Sequence, residues 1–187
     1  LLFQKPIMLG FIKRNSSDFT NHQTLKSLYM ALVRPHLEYC SIIWNPYFDV
    51  NNLRIEKVQK NFTRYAFYKL NWHTERPTYM IRCSLFALNT LNCRRTISSI
   101  IFIRDLIHNH IQCSELLNLL NFYAPRRSLR ENFHFINPTN RTVYAKREPI
   151  SHSMLLINKH LSQIDIFNNV NRYKFKTDIV MILNQIN

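Results

Sequence analysis

The sequence predicts a mainly α fold, a helical bundle with one loop-rich, extended basic segment. Three observations carry this. Apolar residues recur at steps of three and four through most of the chain, which puts them on single helix faces. Hydrophobic residues make up 46% of the 187 residues, enough for a globular core. There is one glycine, Gly10, so turns and phosphate-cradling loops that need positive φ have almost nothing to be built from.

The elements follow in order. Residues Lys5 to Arg14 read as a short helix with Ile7, Met8, Phe11 and Ile12 on one face, and Pro6 fits its first turn. The longest periodic stretch is Leu25 to Trp44, with Leu25, Leu28, Tyr29, Leu32, His36, Leu37 and Cys40 aligned. Thr20 or Asn21 can cap its start. Pro35 lies inside the pattern and predicts a kink or break near Arg34, because it lacks an N–H and clashes with the preceding turn. Ile42, Ile43, Trp44, Pro46 and Tyr47 form an apolar exit expected to be buried, and Tyr39, Trp44 and Trp72 read as core. A helix from about Leu53 to Leu70 has Asp49 or Asn51 as cap and Glu56 in its first turn. It carries Ile55, Val58, Phe62 and Tyr65 on one face and Lys57, Lys60, Arg64 and Lys69 as a basic band. Residues Tyr79 to Asn89 form a further helix after Pro77. Ile97, Ile100, Ile101, Arg104 and Ile107 mark a buried one ending near His108 to Ile111, and Ser114 to Leu120 a short one. From Asn121 the helical period stops. The next stretch is extended and strongly basic, with Arg126, Arg127, Arg130, Arg141, Lys146 and Arg147. Helices return at Ser151 to Leu161 and Arg172 to Ile186. The composition divides the chain into residues 1–120, helical, and 121–187, loop-rich and basic with C-terminal helices.

Lys and Arg total 25 against 11 Asp and Glu, a formal charge of +14. A polyanion is the partner this implies, and nucleic acid is the common one. No apolar run approaches the roughly 20 residues of a membrane span, and no signal-peptide pattern is present. Cys40, Cys83, Cys93 and Cys113 form no Cys-x-x-Cys pair and read as reduced thiols of an intracellular protein, nuclear or cytoplasmic. His108, His110 and Cys113 could supply part of a zinc site, but a fourth ligand is missing and ordinary helix-end histidines are the preferred reading. The chain opens without Met, which points to a piece of a longer reading frame.

Several segments together resemble one family. Leu32-Val33-Arg34-Pro35, then Leu37-Glu38-Tyr39, then Trp44 and Pro46 stand at the spacing of a segment in reverse transcriptases of jockey-like non-LTR (LINE-type) retrotransposons. Leu9 to Arg14, Ile55-Glu56-x-Val58-Gln59-Lys60-x-Phe62, Leu88-x-x-Leu91-x-x-Arg94-Arg95, Phe102-x-x-Asp105-Leu106 and Pro125-Arg126-Arg127-x-Leu129-Arg130 resemble it too. The likeness is close over Leu9 to about Arg130 and looser over Pro149 to Ile182. It implies the thumb and following C-terminal region of an RNA-directed DNA polymerase. Residues 1–120 would be the thumb-like domain, which would grip the RNA and DNA of the template–primer and dock on the upstream palm and fingers.

Polymerisation needs metal ions on palm carboxylates. Asp18, Asp49, Asp105, Asp165 and Asp178 are each isolated, and the sequence has no adjacent acidic pair. No Gly-x-Ser-x-Gly, P-loop or His-Glu-x-x-His motif occurs. The chain is therefore expected to lack an activity and a cofactor of its own, with the magnesium of the parent polymerase held elsewhere. Lys57, Lys60, Arg64, Arg94, Arg95, Arg126, Arg127 and Arg130 are the candidate phosphate contacts, with Tyr65 beside the first three. Each has a plainer alternative. The α-helical band can be an ordinary solvated face. Arg94 and Arg95 can cap carbonyls or pair with Asp105, and Arg34 and Glu38 can form a simple i,i+4 ion pair. The competing function is a helical interaction module that docks on the missing palm and binds nothing alone.

Overall fold

In the computed structural model, residues 4–46, 48–70, 77–124, 133–136, 139, 142, 145, 148–161, 164–168 and 171–186 are described. The fold is mainly α. Among the described residues no strand forms, and an isolated antiparallel bridge joins Phe122 and Phe135. The helices are α1 (Gln4–Asn15), α2 (His22–Leu28), α3 (Arg34–Glu38), α4 (Ser41–Trp44), α5 (Asp49–Leu70), α6 (Tyr79–Leu85), α7 (Leu91–Ile107), α8 (Ser114–Leu117), α9 (Pro149–His160) and α10 (Arg172–Ile186). The chain divides into two compact units, Leu1–Arg94 and Arg95–Asn187, with the boundary inside α7.

In the N-terminal unit, α1 and α2 pack on α5, and α6 packs on α5 as well. The stretch expected as one kinked helix is α2, a π turn at Tyr29–Val33, and α3. Asn21 caps α2 by accepting from the Gln23 N–H at 2.8 Å. Pro35 explains the π turn. It cannot donate to the carbonyl one turn back, and its ring presses on that turn, so the helix widens just before it. The wider loop closes from the Arg34 N–H to the Tyr29 carbonyl. It also resets the buried face. Leu25, Tyr29, Val33 and Leu37 are all buried at uniform steps of four. In a regular α-helix each such step would rotate the position by about 40°, and the π turn takes part of that drift back. His36 and Cys40, expected on this face, are exposed, and Val33 replaces them.

Three further faces differ from expectation. On α1 Leu9 and Ile12 are buried, as is Ser16 just after it, while Ile7 and Phe11 are exposed. The apolar exit is only partly covered: Trp44 is half-buried, its indole N–H donating to the Tyr39 carbonyl, while Ile43 and Tyr39 are about three-quarters exposed at 74% and 75%. Between them Cys40 takes a left-handed conformation (φ 51°) that separates α3 from α4. Trp72 and Tyr47 lie outside the described residues. Helix α5 begins at Asp49, earlier than the periodicity suggests, because the Phe48 carbonyl accepts from the Asn51 and Asn52 N–H groups.

Positive φ occurs among the described residues at Cys40, Ala87 and Asn109, and not at Gly10, which sits inside α1. Ala87 ends α6 with the Leu88 N–H returning to the Cys83 carbonyl at 2.8 Å. Asn109 ends α7 with the His110 N–H on the Asp105 carbonyl at 2.8 Å. These are six-to-one closures of a helix C-terminus, made without glycine.

The core of the N-terminal unit gathers Leu9, Ile12, Leu25, Tyr29, Ile55, Phe62, Ala66 and Leu91. Tyr29 stacks on Phe62 at 4.2 Å between centroids, worth about 0.5–1.5 kcal/mol beyond the area it buries. The C-terminal unit buries Ile97, Ile100, Ile103 and Leu106 of α7, Met154 and Ile157 of α9, and Phe175, Ile179 and Leu183 of α10. Asn158 of α9 holds residues 134–135. Its Oδ1 accepts from the His134 and Phe135 N–H groups, both at 3.1 Å, and its Nδ2 donates to the Phe135 carbonyl at 2.8 Å.

Candidate nucleic-acid interface

Helix α5 has two chemically different faces. Arg54, Lys57 and Arg64 are exposed and Asn61 is half-buried between them. At 100° per residue these four fall within an arc of about 80°, and Arg54 to Arg64 spans about 15 Å along the axis. Lys60 lies at the edge of the arc, half-buried, its ammonium 5.1 Å from the centre of the Tyr79 ring. Arg54 escaped the sequence reading because it precedes the interleaved aromatics. The three-and-four spacing 54, 57, 61, 64 is the pattern that would have found it.

Tyr65 is not available as a stacking platform beside this row. Its hydroxyl is bonded to the Ser16 hydroxyl at 2.8 Å, and the Lys13 and Lys69 ammonium groups lie 5.6 and 5.9 Å from its ring centre.

The inner face of α5 buries Glu56, Gln59 and Thr63 along with its apolar residues. Gln59 is fully buried and works as a junction. Its Oε1 accepts from the Tyr29 hydroxyl at 2.9 Å, and its Nε2 donates to the Asn89 carbonyl at 2.9 Å and the Tyr79 hydroxyl oxygen at 3.0 Å. The Tyr79 hydroxyl donates to Glu56 Oε1, which also accepts from the Leu91 N–H at 3.1 Å. Thr63 Oγ1 accepts from Arg82 Nε at 3.5 Å. Burial, then the adjoining Glu56 carboxylate, pushes the Tyr79 phenol upward. Burial does the same to Tyr29, with Glu38 and Glu56 adding to it. Both phenols stay protonated donors. Burial also raises the Cys83 and Cys93 thiols, which makes them poor nucleophiles.

The paired arginines of α7 have separate fates. Arg94 forms a two-pronged ion pair with Glu38 of α3: Nε reaches Oε1, and NH2 lies 2.8 Å from Oε2. That bond raises the Arg94 guanidinium further and keeps it charged. Arg34 shares the same carboxylate at 3.9 Å, so the expected i,i+4 pair is present, but as the weaker member of a trio. Arg95 is 1% exposed, which takes its guanidinium out of reach of a phosphate. Asp105 pairs instead with Arg172 of α10, with NH2 to Oδ2 at 2.8 Å and Nε to both oxygens at 3.1–3.2 Å, and Arg104 stands 3.6 Å away. Arg126, Arg127 and Arg130 lie outside the described residues, as do Arg141, Lys146 and Arg147.

His108 and His110 have ring centres 6.3 Å apart. His108 Nε2 faces the Ile166 carbonyl at 3.1 Å, and the Cys113 thiol faces Glu115 Oε2 at 3.4 Å. Among the described residues no group of three or more His, Cys, Asp or Glu is placed to hold a metal. Among the same residues no helix is long and apolar enough to cross a membrane.

The structure therefore brings Lys57 and Arg64 to one open face with Arg54, sets Lys60 at its margin, and withdraws Arg94 and Arg95 into the fold. No protein-family model matches the chain, and no curated protein or solved structure matches it.

Proposed function

We propose that the chain is the thumb and following C-terminal region of a non-LTR retrotransposon reverse transcriptase, and that it holds template–primer nucleic acid through the outer face of α5. The observation that carries the contact is the exposed row Arg54, Lys57 and Arg64 on a rigid 22-residue helix. Three guanidinium or ammonium groups along about 15 Å can each meet a phosphate and release its counterion. The net charge of +14 favours a polyanion over any other partner. The polymerase reading rests on the sequence motifs. Its chemistry, metal-assisted nucleotide transfer, is assigned to palm carboxylates of the parent protein and to none of the residues here.

The test is binding of the full chain to a labelled RNA–DNA hybrid over a salt series. Joint substitution Arg54→Ala, Lys57→Ala and Arg64→Ala should lower the salt slope by about one for each residue removed. An unchanged slope removes α5 from the interface. Parallel Arg126→Ala, Arg127→Ala and Arg130→Ala variants read the contribution of the basic segment.

A second reading has its own support. Val50 and Leu53 at the start of α5 are 60% and 58% exposed, and Met80, Ile81 and Leu85 leave the outer side of α6 apolar. Such surface suits a module that docks on another part of its parent. Self-association without any hybrid binding would favour it.

A further inference from the structure

The outer side of α10 presents a ring between two cations. Tyr173 is 79% exposed, and Lys174 and Lys176 are exposed beside it. On a helical wheel Lys176 lies about 60° to one side of Tyr173 and Lys174 about 100° to the other; the helix's acid, Asp178, is about 140° from Tyr173 on the Lys174 side, one turn beyond that lysine. A single exposed aromatic is ordinary on a protein surface. This one differs in being flanked by positive charge and carried by a fixed backbone.

The fixing comes from four neighbours. Asn171 Oδ1 accepts from the Tyr173 N–H at 2.9 Å, and the Thr177 hydroxyl donates to the Tyr173 carbonyl at 3.0 Å. Arg172 is forked onto the buried Asp105. Phe175, two residues on and so on the opposite side of the helix, is 2% exposed and lies 5.2 Å from the Arg104 guanidinium. The backbone that carries the ring is thus held in place before binding.

We infer that Tyr173, with Lys174 and Lys176, is a stacking site for one unpaired base of a single-stranded nucleic acid, the lysines meeting the phosphates on either side. An aromatic face accepts any base by stacking, and a lysine on each flank follows the backbone. A duplex keeps its bases stacked on one another and offers no free face, so the site discriminates single strands from paired ones. It stands apart from the proposed function: α5 is read with a hybrid, this site with a single strand, and either can fail alone.

The experiment is titration of the full chain with a labelled single-stranded oligonucleotide, a blunt duplex of the same length, and heparin, each over a salt series. Tyr173→Ala should weaken single-strand binding about tenfold at an unchanged salt slope. Tyr173→Phe should bind as the parent does, because the ring is kept. Lys174→Ala and Lys176→Ala should each reduce the single-strand slope by about 0.7. Duplex and heparin binding should not respond to Tyr173→Ala. Parent-like single-strand binding by Tyr173→Ala, an equal loss for heparin, or no single-strand binding by the parent would each overturn the inference. Unfolding curves of Tyr173→Ala should match the parent, since an exposed ring contributes little to stability.

Discussion

Helices α5 and α7 are both long, both basic and both rich in isoleucine, phenylalanine or leucine, yet they treat polar groups in opposite ways. Helix α5 buries neutral hydrogen-bonding groups at Gln59 and Thr63 beside Glu56 and sends Arg54, Lys57 and Arg64 to water. Helix α7 buries charges: Arg95, Arg104 and Asp105 are all within 6% exposure of fully enclosed. The apolar pattern separates them. On α5 the buried apolar positions form one stripe, so a solvated face is left over. On α7 the buried apolar positions Ile97, Ile100, Ile101, Ile103 and Leu106 spread over about 220° of the helix, and the enclosed Arg95 and Asp105 fall in the remaining arc. Of the basic pair on this helix, Arg95 is enclosed and Arg94 is already engaged by the Glu38 carboxylate. Surface charge is legible only against the width of the apolar stripe beneath it.

The contrast is tested most severely at Asp105. Asp105→Ala leaves the enclosed Arg104 without its nearest carboxylate and Arg172 without its fork. Removing one partner of a buried charge pair costs about 3–5 kcal/mol. Denaturant unfolding should show the loss, with the C-terminal unit melting first. A cost under about 1 kcal/mol would mean that α7 does not depend on its charges.

Next comes Gln59→Leu on α5. The replacement keeps most of the volume but strands the Tyr29 hydroxyl and the Asn89 carbonyl, each losing its Gln59 partner. Unsatisfied buried groups cost about 1–3 kcal/mol each, so a total of about 2–6 kcal/mol is expected, against far less for Asn61→Leu on the half-buried side. Equal effects of the two would erase the distinction between the faces.

Acidification sharpens the comparison between the units at smaller magnitude. Burial lowers the protonation of His134, with Asp165 and the Ile164 carbonyl opposing it, and lowers that of His160, with the neighbouring Lys159 adding to the effect. Both lie in the C-terminal unit. A histidine whose folded pKa is depressed takes up protons more readily when unfolded, so stability is full above the unfolded value near 6.5 and is lost as pH falls from there toward the folded value. The C-terminal unit should therefore weaken as pH falls through and below about 6.5. His160→Gln should flatten that dependence, as followed by thermal unfolding at a series of pH values. A slope unaffected by the substitution would assign the acid response elsewhere.

The helical class of the fold and the places of most helices were readable from periodicity, and α10 was found at its observed ends, Arg172–Ile186. Faces were read less well, for a physical reason. The π turn before Pro35 and the left-handed Cys40 change the angle between successive residues, and neither leaves a mark in a three-and-four pattern. The end of α6 at Ala87 escaped because glycine, the usual marker of such a stop, is absent there, whereas the stop of α7 at Asn109 falls within the stretch His108 to Ile111 where it was expected. The motif residues were legible as a pattern but not in their roles. Arg34, Glu38 and Arg94 make one ion cluster, and Glu56 and Gln59 make one buried network. Those residues meet across the fold, which composition and local spacing do not reveal. Among the eight candidate contacts, Lys57 and Arg64 were separable from Arg94 and Arg95 only once the enclosure of α7 was visible.

The smallest effect on stability is expected where the largest effect on binding is. Lys57→Ala with Arg64→Ala removes two exposed side chains from α5, and surface changes of this kind shift stability by no more than about 0.5 kcal/mol. Alanine's helix propensity offsets what little packing is lost. The same pair should lower the salt slope of hybrid binding by about two. Arg95→Ala should do the reverse, lowering stability through the void and the lost contacts of an enclosed side chain while leaving the slope of the remaining folded protein unchanged. If Arg95→Ala changed the slope and Lys57→Ala with Arg64→Ala did not, the phosphate-facing surface would lie at α7, and the division of labour between the two helices would be inverted.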